Sequence, residues 1–115
     1  MSANDTRIRA VEFFRAVSPL SRPIADATHR IDEIAFIVTR VELAGGVWGE
    51  SNLLAFHYSP RAIAGALRDI APLACEFHAN ETGRFLRAAM AEQEYFGHAG
   101  INRWAAGAVN VAMWD

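Results

Sequence analysis

The spacing of hydrophobic positions changes along the chain, from a period of two to a period near 3.6. Ala35, Ile37, Thr39, Val41 and Leu43 share one parity, and Ile34, Phe36 and Val38 take the other before Arg40 and Glu42 succeed them. This alternation predicts a strand over Ile31 to Leu43, buried on both faces in its first half and on one in its second. Ala44-Gly45-Gly46 suits the positive-φ positions of a hairpin turn, and Val47 to Ser51 reads as the returning strand. Gly49 within it predicts a bulge or a close backbone approach. Upstream, Arg7 to Val17 reads as a strand whose alternation slips, with Ile8 and Ala10 on one parity and Val11 and Phe13 on the other. A bulge near Ala10–Val11 would reconcile them. Ser18 to Arg30 holds Pro19 and Pro23 and has no period, so a loop of about a dozen residues is expected there, either a solvated connector or a flap over a site.

After an apolar connector, Asn52 to Tyr58, the period becomes helical. Ser59-Pro60 predicts a helix start, with serine capping and proline first inside. Ile63, Leu67, Ile70 and Ala71 form its buried stripe, and Pro72 should end or kink it near Ala71, with Leu73 to Phe77 as a further turn. A second helix is expected after Asn80 as N-cap, with Leu86, Ala89, Met90 and Phe96 as its stripe and Arg84, Arg87, Glu92 and Glu94 in solvent. Gly97-His98-Ala99-Gly100 breaks the chain. Gly100 to Asp115 reads as a last helix, with Asn102 as N-cap, apolar nearly all round and so expected to be buried. Its patch Ala105-Ala106-Gly107-Ala108 would let another backbone approach closely. It reaches Asp115 without a C-cap glycine, a basic last turn or a following proline, so a fragment of a larger fold is expected. The fold class is α+β: a three-stranded antiparallel meander followed by about three helices packed on one face.

Length and composition narrow this picture without changing it. At 115 residues the chain is one domain. It is 52% hydrophobic and 21% charged, which argues against disorder. A net charge of −2 gives no electrostatic pull towards nucleic acid. All 11 basic residues are arginine, so a Schiff-base lysine, a lysine base and a P-loop lysine are excluded within these residues. Cys75 stands alone in an apolar run and is expected to be a small core residue, in an intracellular compartment. No leader and no membrane-length apolar run is read, so a cytoplasmic protein without a membrane partner is expected.

The search for chemistry finds little. His29, His57, His78 and His98 form no pair with metal-ligand spacing, and no nucleophile elbow, dinucleotide loop or P-loop occurs. Asp32 and Glu33 are adjacent on a strand and point to opposite faces. Glu50 reads either as an ordinary strand carboxylate or as a support beside a cleft. The two segments rich in apolar and aromatic residues suit covering a ligand better than transforming one.

These pieces together resemble a known family. A strand leads to P-L-S-R-P-I, then to a long strand ending in V-E-L, a Gly-Gly turn, W-G-E-S-N-L-L-A-F, three helices and a closing G-A-V-N-V-A-M-W-D. From about Arg7 to Asp115 this resembles the N-terminal capping domain of the enolase superfamily, in the mandelate racemase/muconate lactonizing enzyme family. The A-x-x-A-M-W-D helix is the most specific part, and G-E-S-x-L-x-A-aromatic looks like the mandelate racemase branch. Asn110 departs from the aspartate usual at its position.

The resemblance implies a two-domain enzyme in which residues 1–115 cap a (β/α) barrel expected after Asp115. The barrel would supply Mg²⁺ ligands and acid/base groups for removing a proton next to a carboxylate, as in acid-sugar dehydratases and racemases. The cap would supply substrate specificity and water exclusion. Carried over by motif, Ile24 and Ile31 from the first capping segment, and Asn52, Leu53 and Phe56 from the second, would bind substrate, with His29, His57 and Tyr58 as weaker candidates. No catalytic or metal-binding residue is expected in the cap. The implied partners are the barrel of the same polypeptide, a small carboxylate substrate and further copies in a homo-oligomer. The alternative is a free-standing α+β binding module without catalysis.

Overall fold

In this computed structural model the structure describes residues 4–56, 60–97 and 99–115. Three strands, β1 (Ile8–Ala25), β2 (Arg30–Leu43) and β3 (Trp48–Phe56), form one antiparallel sheet in the order β1-β2-β3. Helices α1 (Pro60–Ala74), α2 (Thr82–Glu92) and α3 (Ile101–Trp114) follow. The expected α+β meander with three helices is therefore present, and no helix is long and apolar enough to cross a membrane among the described residues.

The central strand follows its sequence pattern. Ala35, Ile37, Thr39 and Val41 are buried beneath the helices with Ile63, Leu67, Ile70, Phe85 and Val109. The bulge of β1 falls between Ile8 and Ala10, one residue before the expected place, because Ile8 pairs with Leu43 while Ala10 pairs with Glu42. That extra residue brings Ile8, Val11 and Phe13 onto the helix side, where all three join the core. In the turn after β2, Gly46 has a positive φ of 95° and Gly45 does not.

Both outer strands run further than their patterns indicate. The expected loop over residues 18–30 is instead the far half of a long hairpin, with only residues 26–29 outside the strands. The prolines do not break β1 because it is an edge strand, where an imide without N–H costs no ladder bond. They do disturb its register, since Pro19 pairs with Glu33 and the next pair is Ile24 with Ile31. β3 likewise continues past Ser51 to Phe56 rather than giving way to a connector.

The helices also correct several expectations. α1 continues through Pro72 to Ala74. The proline lies in the last turn, where losing one i→i−4 bond costs least, and the chain then tightens through i→i+3 bonds from Cys75, Glu76 and Phe77. The cap expected from Ser59 lies outside the described residues. α2 is preceded by Glu81 rather than capped by Asn80, and it buries Phe85 and Ala89. Leu86 and Met90 are only half-buried, and Phe96 is exposed on a 3-10 turn, Glu94–Phe96, that follows the helix. α3 starts from Gly100, at φ 87°, so Asn102 sits inside the first turn. It is not buried all round: Ala105, Ala106, Ala108, Val109, Ala112 and Met113 are covered, whereas Trp104, Val111 and Trp114 are exposed.

Close approach between α3 and β3 fixes the layers. A Cβ on Gly49 would lie 2.3 Å from the Ala112 carbonyl oxygen, so only glycine lets the backbones meet there. One turn earlier in the helix, the Ser51 hydroxyl donates to the Ala108 carbonyl at 2.6 Å. Asn110 donates from its side-chain amide to the Thr82 carbonyl at 2.9 Å and ties α3 to the start of α2. Cys75 is exposed, not a core residue, because it follows the last buried position of α1. Its sulfur lies 3.7 Å from the Arg9 carbonyl oxygen, and partial burial pushes the thiol pKa up.

Candidate functional site

The meander places the end of the β1–β2 hairpin and the end of β3 at the same end of the sheet. β3 stops where Phe56 pairs with Ala35, while the β1–β2 ladder continues to the pair of Ala25 with Arg30. A two-stranded arm therefore projects past β3 by about five residues of β2, roughly 17 Å at strand rise. The molecule is elongated, with extents of 51 × 33 × 18 Å.

The tip is closed by Asp26. Its Oδ1 accepts the Thr28 N–H at 2.8 Å and the His29 N–H at 2.7 Å, and the Asp26 N–H donates to the His29 carbonyl at 3.0 Å. An aspartate bonded to the backbone two and three residues on makes a compact turn without glycine. The Thr28 and then the His29 amides hold the Asp26 carboxyl below its ordinary range.

Of the five residues expected to face a ligand, Ile24 and Ile31 are cross-strand partners near the tip. Ile24 is exposed and Ile31 half-buried. Phe56 supplies the last residue of β3, placed by its backbone opposite Ala35. Asn52 and Leu53 are not at the tip. They lie within β3 opposite Val38 and Ile37, on opposite faces of the sheet. Leu53 packs on the core below the helices and Asn52 is exposed on the open face. His29 belongs to the tip turn, and His57 and Tyr58 lie outside the described residues.

Glu50 is engaged locally. Arg40 Nη2 donates to its Oε2 at 3.0 Å, the Arg40 guanidinium stacks 4.1 Å over the Trp48 ring, and the Glu50 N–H donates to Asp115 Oδ2 at 3.1 Å. This is a bracing cluster of the sheet edge and the end of α3. Among the described residues, no group of three or more His, Cys, Asp or Glu side chains gathers to hold a metal ion.

A feature that the sequence reading missed is a groove between β3 and α3 of about 480 Å³, lined by Leu53, Leu54, Arg103, Trp104, Gly107 and Val111 among others. Its signal lay in α3, where the small residues and the exposed tryptophans follow one stripe.

The family model for the mandelate racemase / muconate lactonizing enzyme N-terminal domain matches residues 8–115. Among solved structures the chain is similar to an L-talarate dehydratase from Polaromonas sp. JS666 complexed with Mg and L-glucarate, at 25% identity and a TM-score of 0.85 over 94% of this chain and 31% of that one. It is also similar to an enolase from Bradyrhizobium complexed with magnesium and mandelic acid, at 22% identity and a TM-score of 0.82 over 94% of this chain and 30% of that one. A racemase from Streptomyces coelicolor with bound magnesium matches at 22% identity and a TM-score of 0.80, over 93% of this chain and 30% of that one. The last two likenesses are of fold. The chain spans less than a third of the length of these structures. No curated protein matches the chain. A meander with three helices on one face, matched to the family model over nearly its whole length, makes this chain a member of the mandelate racemase/muconate lactonizing enzyme family, as an N-terminal capping domain of the enolase superfamily.

Proposed function

We propose that this domain is the specificity lid of a Mg²⁺-dependent enzyme that removes a proton next to the carboxylate of a small acid, in the acid-sugar dehydratase or racemase class. The observation that carries the reading is the shared end of the sheet, where the projecting hairpin and the last residues of β3 lie together. Apolar groups there would exclude water from a site beneath and strengthen its electrostatics. The ligands of the solved relatives, L-glucarate and mandelic acid with magnesium, support the substrate class.

The described residues of this domain do not fit a magnesium site. Its ligands and the acid/base groups are assigned to a (β/α) barrel following Asp115 in the same polypeptide. Ile24, Ile31 and Phe56 would line the lid at the tip. Asn52 and Leu53 would act from further down β3, Asn52 as a polar contact and Leu53 as support. The parent enzyme would be a cytoplasmic homo-oligomer.

The test is to express the whole reading frame and assay a panel of acid sugars and 2-hydroxy acids with Mg²⁺ and after chelation. Mg²⁺-dependent dehydration or racemisation by the whole protein, and none by residues 1–115, is expected. A reading frame that stops at Asp115, or a whole protein inert on every acid of the panel, would overturn the reading.

A further inference from the structure

The projecting arm carries an unbalanced charge. Three carboxylates lie on it, and each is already engaged: Glu33 with Arg15 at 3.9 Å, Asp32 with Arg30 at 3.1 Å, and Asp26 with the Thr28 and His29 amides. Arg22 is exposed, and its side chain has no hydrogen-bond or ion-pair partner among the described residues. It stands in a wide bulge of β1, where Leu20, Ser21, Arg22 and Pro23 together oppose Asp32 alone. A bulge takes a residue out of the regular alternation and re-aims its side chain. Pro23 restricts the residue before it to an extended conformation, so the backbone of Arg22 is held two residues before Ile24 along the strand.

We infer that Arg22 is a specificity residue of the lid and takes the far carboxylate of a diacid substrate. The inference rests on the proposed reading of the domain as the lid of a proton-abstracting enzyme, and it narrows the substrate class from small acids to sugar diacids. In that reaction one carboxylate of the substrate stands beside the carbon that loses its proton. A second carboxylate at the other end is what an unpaired guanidinium on the lid matches, by two parallel N–H donations to its two oxygens. An exposed arginine gains little from such a pair in water. Beneath a closed lid, with the Ile24–Ile31 pair next along the arm, water is excluded and the same pair is strengthened. A monoacid with a neutral far end would leave the guanidinium desolvated and unpaired, so Arg22 selects against it as well as for the diacid.

The experiment measures kcat/KM of the whole protein with Mg²⁺ on sugar diacids and, for each, on the monoacid with a hydroxymethyl group in place of the second carboxylate. Wild type is expected to prefer the diacids. Arg22→Met should lower the diacid-to-monoacid ratio by about thirty-fold, as losing hydrogen bonds to a charged group does. Arg22→Lys keeps the charge without the fork and should recover part of the ratio, and Arg22→Glu should lower it further. Melting temperatures should stay within a few degrees of wild type, because the side chain is exposed and has no partner in this domain to lose. A wild type that prefers the monoacids, or acids phosphorylated at the far end, overturns the inference. So does a ratio insensitive to all three substitutions. In those cases Mg²⁺-dependent turnover of the acids leaves the enzymatic reading standing, whereas a whole protein inert on every acid overturns both.

Discussion

The two ends of the sheet are built differently. At the end near Leu43 and Trp48, the segment before β1 is laced to the α1–α2 link: the Ile8 N–H donates to Phe77, the Ala79 N–H to Thr6, and the Thr6 hydroxyl and His78 Nδ1 lie 2.9 Å apart. His78 donates its N–H to Glu81 Oε1 at 2.9 Å, and Glu81 pairs with Arg84. Phe77 meets Phe85 edge to face at 6.0 Å, and Gly49 lies against α3. At the other end the arm has two strands, every residue from 21 to 30 is exposed, and one aspartate closes the turn. The base carries the stability. The exposed tip is expected to tolerate changes of residue without loss of fold, as the proposed lid role requires.

Phe85→Ala should have the largest effect, because this fully buried ring closes the base core. A loss of about 3–5 kcal/mol is expected, read by chemical denaturation. Gly49→Ala should cost less, about 1–3 kcal/mol, as α3 shifts to admit the methyl group. Ile31→Ala at the tip should cost under about 1 kcal/mol, as a half-exposed site does. If Ile31→Ala destabilised as much as Phe85→Ala, the contrast between the ends would fail.

The smallest effect is in pH. The Arg7 side chain, and after it the Arg7 amide, lowers the Asp5 carboxyl from 3.8 to about 2. A carboxyl with a lower pKa in the folded state contributes stability above its unfolded pKa and loses it as pH falls through the folded one. The contribution of Asp5 to the base is therefore present above about pH 4 and gone near pH 2. Asp5→Asn should flatten that part of the acid denaturation profile slightly, since the pair is exposed and screened. An unchanged profile would remove Asp5 from the bracing of the base.

The same contrast explains what the sequence reveals. β2 is legible because its alternation is enforced by the helices along Ala35 to Val41. The far half of β1 is not, since an arm in solvent enforces no alternation, and Pro19 and Pro23 are tolerated on an edge. β3 is under-read because Asn52 to Phe56 is nearly all apolar, although Ser51, Leu53 and Ala55 keep the right parity. The α2 stripe is read in part: Ala89 is buried as expected, whereas Phe85 is missed and Leu86 and Met90, beside the buried pair, are only half-buried. The tip is visible in the sequence only through family resemblance, since Ile24 and Ile31 are ordinary apolar residues until the hairpin pairs them.

The most direct measurement of the lid account is kcat/KM for the whole protein on a panel of acid sugars and mandelate, for wild type and Ile31→Ala. The account predicts that the ranking of substrates changes by about ten-fold or more, as removing apolar groups from a pocket wall does, with Mg²⁺ affinity unchanged and the melting temperature lowered by at most a few degrees. An unaltered ranking, with all substrates affected equally or not at all, would contradict the claim that the tip of this domain faces the substrate.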